Sequence, residues 1–567
     1  MIAIYIGNEL ENHRKKIVQT MDFIFRTLGY EYRFIRSPED LNPQDVILFY
    51  SQLDVSIREA EYLAYNHIMI NIPVETFIWE VGSYGFKKIS STLRKIKLFS
   101  PIPVLSESPI EFYVQNETSQ HVFMINFGFD LVSNIFFHLS GYFDLLNYFT
   151  ELEGNEAYPN PFEEFSTYPF LNGLLYILDK SIEEVFKEKI FPYSIIKKDF
   201  WPEGQAYAVA ISHSVDRLRK WNAGNILSSF FEDLLIFYRV NYVFKNFISK
   251  MKYLLTNDEE YWNFKEIIQI ERMHFVKSTY FLGADIQGEE NFDYNLDDPD
   301  TQNLISSLVA DSYDIGLLAS KPTAHKDIFK AQLSRLQKVS QIPIIGLRIQ
   351  DYEFDIQKTS QLFNKNSLFC DSTFGYKNKN GFKRGIGFPF EILYYDLTNQ
   401  EMGIDVENAS TVEIPTVFRD ENLKVSKYKN VSYEHSVKMI DNYLRNMRTV
   451  NGLISFDFSV ANFADIDYDF DLFEHLLRKL LAQKPYVGTY SDISIWWKKR
   501  NTVHITEIEN SFIIYFPEEL KKFTFYVYGD VEKIKIEGAD FIRDPLDEYK
   551  FTLEDIERNS KVYVLLP

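Results

Sequence analysis

The sequence predicts an α/β protein built in several parts: an N-terminal α/β domain, a helical connection, a large unit of strands and helices in alternation, and a small all-β appendage. Three observations predict it. Along residues 206–500 short apolar strings alternate with stretches of helical period, the pattern of parallel strands joined by helical crossovers. After residue 501 the hydrophobic period drops to two. The length of 567 residues exceeds what one core fills, since a domain takes about 100–200 residues.

The elements follow in chain order. Ile2–Ile6 is an apolar run stopped by Gly7-Asn8 and predicts a buried strand. Arg14–Leu28 has helical spacing, Val46–Tyr50 predicts a second strand, and Leu93–Val104 mixed extended structure. These make the N-terminal α/β domain, 1–110. Asn126–Gly141, Asp144–Glu153 and Gly173–Phe186 predict helices between aromatic loops such as Tyr158-Pro-Asn-Pro161, giving a helical bridge over 111–200. Pro202-Glu-Gly-Gln-Ala206 opens the third unit, 201–503. Its predicted strands are Tyr207–Ser212, Lys277–Leu282, Asp314–Leu318, Pro343–Leu347, Ser367–Asp371, Thr411–Ile414, Gly452–Phe458 and Tyr486–Thr489, with helices at Ile328–Val339 and Phe470–Leu481 among them. Spacing alone fits either a barrel or an open parallel sheet. The appendage, 504–567, alternates over His504–Glu507, Ser511–Phe516, Phe523–Tyr528, Val531–Glu537 and Lys561–Leu566, with Gly529-Asp530 at a turn.

Composition narrows the function. Net charge is −21, and no basic tract is longer than Lys498-Lys499-Arg500, so a nucleic-acid partner is excluded and an anionic membrane surface disfavoured. The single cysteine, Cys370, rules out an internal disulfide and a thiolate metal cluster. The start at Met1–Ile6 lacks the basic flank and sustained apolar run of a signal peptide, and no segment reaches 18 uncharged apolar residues. A soluble cytoplasmic protein without a transmembrane segment is expected, in which the sequon Asn116-Glu-Thr118 has no role. Aromatics make up 16% of the chain, with Phe 50, Tyr 37 and Trp 6. They fill cores and also stack on sugar rings, and composition leaves both roles open.

Four constellations sit at predicted strand ends, where α/β folds present side chains to ligands. His213-Ser214-Val215-Asp216 offers one imidazole and one carboxylate, two metal-ligand types that need a third from elsewhere. No His-x-x-x-His pair supplies it, and His325, His435, His475 and His504 read as surface positions. In Gly346-Leu-Arg348-Ile-Gln-Asp351-Tyr352 the arginine can hold a carboxylate or substrate oxygens, against a plain structural salt bridge with Asp351. Asp371-Ser-Thr-Phe374-Gly-Tyr376, then Arg384 and Phe390, have the makeup of a substrate rim or of an ordinary structural loop. Phe456-Asp457-Phe458-Ser459 offers a carboxylate and a hydroxyl, against a capping aspartate among core aromatics. A nucleophile elbow, Gly-x-Ser-x-Gly, and a dinucleotide fingerprint, Gly-x-Gly-x-x-Gly, are both missing.

Taken in order, these pieces resemble the polysaccharide deacetylase (NodB-like carbohydrate esterase) family, in particular a Bacteroidetes-type subgroup with a long N-terminal extension. The likeness spans about 200–500 and implies an irregular (β/α) barrel. The subgroup's first motif reads Thr-His-Asp-Val-Asp; here it is Ser212-His213-Ser214-Val215-Asp216, with Ser214 at the catalytic base and Asp216 at the metal-side carboxylate. Ile315-Gly316-Leu317 leads to Leu318 where the family has a metal histidine. Arg348 keeps the third motif's arginine, but Gln350 or Asp351 falls where a histidine belongs, and Ser459 stands at the general acid. The Asp371–Tyr376 loop, the Gly381–Phe390 stretch and the closing helix with Trp496-Trp497 match.

The resemblance therefore implies a catalytically degenerate deacetylase-like protein. Hydrolysis of this kind needs a metal, a base and an acid, each contributing orders of magnitude. The remnant site is His213, Ser214, Asp216, Arg348, Asp351, Asp457 and Ser459; Arg348, Asp371, Phe374, Tyr376, Arg384 and Phe390 are the expected substrate contacts. No cofactor is expected, and the expected partner is a polysaccharide or a protein that helps make one. The alternative is an active metal-dependent deacetylase or hydrolase. It would use a divalent metal at His213 and Asp216, or a rearranged set of Asp216, Asp351 and Asp457 around Mg²⁺ or Ca²⁺.

Overall fold

The computed structural model describes residues 1–42, 44–52, 67–80, 86–119, 122–188, 193–221, 226–229, 231, 240–256, 259–286, 291–320, 326–354, 369–391, 394–396, 401–403, 411–426, 429–465, 469–508 and 511–566. His325 lies outside them.

The N-terminal sheet has six strands in the spatial order Tyr32–Ile35, Ile2–Ile6, Val46–Tyr50, His67–Ile72, Val122–Phe127, Val114–Thr118. All pair in parallel except the last. Ile2–Ile6 and Val46–Tyr50 lie inside it as near-continuous apolar strings, as central parallel strands buried on both faces should. The helix Arg14–Leu28 packs its Ile17, Met21, Ile24 and Phe25 into the core and ends at Gly29, whose φ of 87° no side chain adopts cheaply.

The stretch 111–200, expected to be helical, holds three strands beside the helices Leu131–Ser140, Tyr142–Leu152 and Phe170–Lys187. Val114–Thr118 and Val122–Phe127 belong to the first sheet, and Ile195–Lys198 joins the C-terminal one. The apolar string at 122–127 runs straight into helical spacing, and a short apolar run has no period that separates a buried strand from a helix.

The large unit is built on a parallel sheet. Its spatial order runs Val412–Glu413, Cys370–Asp371, Gly346–Ile349, Asp314–Ala319, Thr279–Gly283, Ala208–Val215, Leu453–Asp457, Phe418–Arg419. The three strands anticipated near 206–216, 314–318 and 343–348 are parallel members of it, with Thr279–Gly283 between the first two. The sheet curls almost into a ring. One short segment serves both edges: Ile414 N donates to Asp371 O and Thr416 N to Phe374 O, while Val417 N donates to Ser455 O on the far side. Pro415 sits in the middle, where the chain leaves one edge for the other.

The appendage forms two four-stranded sheets. Asp540–Arg543 and Lys550–Ile556 are strands the alternation did not single out, the first with every residue exposed. Ile195–Lys198 pairs with Leu520–Tyr528, tying the appendage to the middle of the chain. Arg500, fully buried at the end of the closing helix Tyr490–Thr502, locks three parts together. Its guanidinium donates to Arg26 O at 2.9 Å, Thr27 O at 3.1 Å and Asp199 O at 2.6 Å. It thereby satisfies carbonyls that the end of the helix Arg14–Leu28 leaves open. Trp496 and Trp497 are both buried, Trp496 donating to Phe200 O at 2.9 Å.

Candidate functional site

Parallel strands end together, so the C-terminal ends of Ala208–Val215, Thr279–Gly283, Asp314–Ala319, Gly346–Ile349 and Leu453–Asp457 gather at one mouth. Arg348 and Asp457 lie four inter-strand steps apart, which a flat sheet would spread over about 19 Å. Here Arg348 Nη1 donates to Asp457 Oδ1 at 2.6 Å. The curl of the sheet alone makes that contact.

The pair is buried and saturated. Ser214 Oγ donates to both Asp457 oxygens at 3.1 and 3.0 Å, Ser212 Oγ to Oδ1 at 3.0 Å and Tyr352 Oη to Oδ2 at 2.8 Å. The guanidinium also donates to Ser372 Oγ at 2.9 Å and Tyr490 Oη at 3.0 Å, and it stacks on Phe281 with 4.1 Å to the ring centre. Burial works against ionising Asp457, but Arg348, then Arg419, and the hydroxyl donors outweigh it and hold the carboxyl below its usual range. Burial likewise opposes the charge on Arg348, and Asp457 more than restores it. Both groups stay ionised, each neutralising the other.

The remaining expected site residues divide. Ser459 Oγ donates to Asp216 Oδ1 at 3.0 Å, and Ser459 N is held by Asp420 Oδ2 at 3.0 Å. Burial raises the Asp216 carboxyl above its ordinary value, Arg217 and Ser459 opposing. Its side chain keeps 30% exposure, so it is the one remnant carboxylate near the mouth with solvent contact.

His213 is not part of this cluster. Side chains alternate along a strand, so with Ser212 and Ser214 turned to Asp457, His213 turns to the helical layer. There Nδ1 meets Phe458 O at 2.9 Å and Nε2 meets Glu271 Oε1 at 3.2 Å. Both ring nitrogens are taken. Asp351 also fails to join: it sits at φ 60° in a tight turn, 40% exposed, and faces Lys377 Nζ at 3.4 Å.

The expected substrate rim has folded down into the core. Phe374 and Phe390 are buried and meet edge to face, ring centres 5.3 Å apart. Asp371 is buried, accepts from Thr373 Oγ1 at 2.7 Å, and pairs with the carboxyl of Glu413; burial pushes both above their ordinary values. Arg384 Nε donates to Asp144 Oδ2 at 2.8 Å, fastening this loop to the helix Tyr142–Leu152. Of the loop's expected contacts Tyr376 and Arg384 stay partly exposed, Tyr376 with Lys379 over its ring. Glycines and aromatics mark a shaped loop equally well when its purpose is packing.

Sequence reasoning missed Tyr490, Ser372, Thr416, Asp420 and Glu271. Glu271 lies 58 positions from its partner His213, on an amphipathic helix of surface type, and no local pattern joins them. Tyr490 was legible only as the first residue of the closing helix.

A divalent metal of deacetylase type does not fit these residues. Leu318 is buried beside Arg348 in register, His213 has no free nitrogen, and Asp457 is neutralised by a guanidinium. Among the described residues no group of three or more His, Cys, Asp or Glu is placed to hold a metal ion.

No family model matches the chain, and no curated protein does. Solved structures similar to it include a polysaccharide deacetylase from Mycobacterium smegmatis, 15% identical, covering 55% of this chain and 98% of that one, with a TM-score of 0.35. Another, from Pseudomonas aeruginosa PAO1, is 9% identical over 53% of this chain and 93% of its own, with a TM-score of 0.34. A CE4 family pseudoenzyme from Bacillus anthracis is 10% identical over 52% of this chain and 66% of its own, with a TM-score of 0.27. The solved structures similar to it include polysaccharide deacetylases, pseudoenzymes and an allantoinase, all at low identity over about half the chain. No helix among the described residues is long and apolar enough to cross a membrane.

Proposed function

We propose that this chain is a catalytically silent, polysaccharide deacetylase-like protein that binds a glycan without cleaving it. One observation carries the reading: the Arg348–Asp457 ion pair, 2.6 Å long and cut off from water, occupies the strand ends where a hydrolytic site would need an unspent carboxylate. A general base must be within hydrogen-bond reach of a water and free to take its proton. Asp457 has four donors on its two oxygens and a depressed proton affinity, so it does neither.

The partly exposed groups at the mouth suit hydroxyl-rich ligands. Asp216, 30% exposed, accepts hydrogen bonds, and Arg217, 45% exposed, donates them. Since the Phe374–Phe390 loop is packed away, the glycan contact is placed at Asp216 rather than along that loop.

The test pairs acetate release from N- and O-acetylated glycans with a glycan-binding screen, both on the full chain supplied with zinc. The expected result is no acetate, no stoichiometric metal, and binding that Asp216→Ala weakens about tenfold, the scale of losing a charged hydrogen bond. Acetate release together with bound metal, both lost in Asp216→Asn, overturns the reading in favour of an active hydrolase.

A further inference from the structure

Asp371 and Glu413 stand in direct register where the strands Cys370–Asp371 and Val412–Glu413 pair in parallel. Both are fully buried, at 0% exposure. Each carboxyl has one oxygen committed to a donor outside the pair. Asp371 Oδ1 accepts from Thr373 Oγ1 at 2.7 Å, and Glu413 Oε1 accepts from Phe374 N at 2.9 Å. The other two oxygens, Asp371 Oδ2 and Glu413 Oε2, have no donor in the protein, yet the two side chains hydrogen-bond to each other. An ionised carboxylate only accepts, so a bond between two carboxyls requires that one of them carry a proton.

The surroundings decide how many protons the pair holds. With none, two negative charges touch in a site closed to water, which like charges at this range do not sustain. With two, the second O–H competes for oxygens already taken by Thr373 and Phe374, and the Lys383 ammonium that faces Glu413 loses a counter-charge. With one, every oxygen has a donor, and the single negative charge left on the pair faces Lys383, which lies over the Phe374 ring at 5.1 Å. Burial raises both carboxyls above their ordinary values, and the Asp371 charge raises Glu413 further. Beyond Lys383 stand Asp144 and Arg384; on the other side Cys370 faces Asp371, with Asp314 and Lys498 beyond it.

The pair sits at the seam on which the curled sheet closes. Ile414 N donates to Asp371 O at 2.8 Å and Thr416 N to Phe374 O at 2.9 Å, and these bonds lead one edge of the sheet toward the other. Glu413 also holds the amide of Phe374, whose ring packs on Phe390 and keeps the loop down. We infer that Asp371 and Glu413 share a single proton at neutral pH, and that this proton latches the seam and the Asp371–Phe390 loop, so that its loss in mild alkali loosens both. The sign follows from linkage. Folding raises the proton affinity of the pair, so its stabilisation is complete below the ordinary carboxyl values near about 4 and is lost as pH rises through the folded value. The latch does not depend on whether a glycan binds at Asp216.

The test is hydrogen exchange of the full chain at about pH 7 and about pH 9, with the rate over 369–391 divided by that over 208–215 in the same sample to cancel the intrinsic pH dependence of exchange. The ratio in the parent is expected to rise about tenfold or more between the two. Glu413→Gln should hold it constant, because the amide nitrogen donates to Asp371 Oδ2 while the amide oxygen still accepts from Phe374 N. Asp371→Asn supplies the same donor from the other side and should behave alike, so either variant that folds serves. A parent ratio that does not change overturns the inference. So does equal loosening in a folded variant, which assigns the response to Cys370 or Lys383 instead.

Discussion

Replacing Asp457 by Asn keeps the shape of the strand end and removes one charge. Arg348 is then left fully buried with its positive charge uncompensated, although Ser372 and Tyr490 still accept from it. The charged hydrogen bond at 2.6 Å is worth about 1.5–3 kcal/mol, and the amide nitrogen faces donors it cannot accept, at about 1 kcal/mol or more. The sum agrees with the roughly 3–5 kcal/mol lost when one partner of a buried pair is removed. With a urea slope of about 3 kcal/mol/M, the unfolding midpoint followed by tryptophan fluorescence should fall by about 1 M or more. Arg348→Met/Asp457→Leu removes both charges and should recover most of that loss, because apolar replacement of a whole buried pair is often neutral. If the single variant moves the midpoint by less than about 0.2 M, or the double variant costs the sum of its singles, the pair is not the closed, mutually neutralised unit described here.

Two further outcomes follow from groups elsewhere in the fold. Burial, aided by Arg384, pushes the His138 imidazole down to about 3. Its stabilising share is complete above the unfolded value near 6.5 and declines toward 3 by up to about 1.4 kcal/mol per pH unit, because only the unfolded chain takes the proton. The difference in unfolding free energy between parent and His138→Leu should therefore narrow between about pH 7 and pH 5, and parallel profiles would contradict the assignment. Gly29→Ala places a β-carbon 2.4 Å from Lys198 O and 2.6 Å from Arg500 Nη2 at a φ of 87°. A loss of about 2 kcal/mol or more is expected by thermal unfolding, and a neutral result would show that the Arg500 junction yields.

Much of the architecture was legible because it rests on local pattern. Ile2–Ile6, Arg14–Leu28, Val46–Tyr50 and Ser511–Phe516 appear at the expected bounds, since apolar runs and helical spacing are properties of adjacent residues. Strand direction was legible too, as helical crossovers enforce parallel pairing. The strand Val122–Phe127 was not, its run merging with the helical spacing after it. At the site, the sequence determined which chemical groups stand at the strand ends: Ser214 and Asp216, Arg348, Asp457 and Ser459. Which of them meet is a matter of curvature. The curl brings Arg348 onto Asp457, the alternation of the strand sends His213 to Glu271, and the turn at Asp351 carries that carboxylate out to Lys377. The loop Asp371–Phe390 illustrates the same division: its residues name a shaped loop, and only the packing of Phe374 against Phe390 and of Arg384 against Asp144 decides that the shape closes inward. These contacts link residues 16 to 240 positions apart, and nothing in a local pattern encodes an energy that arises only when the sheet has closed.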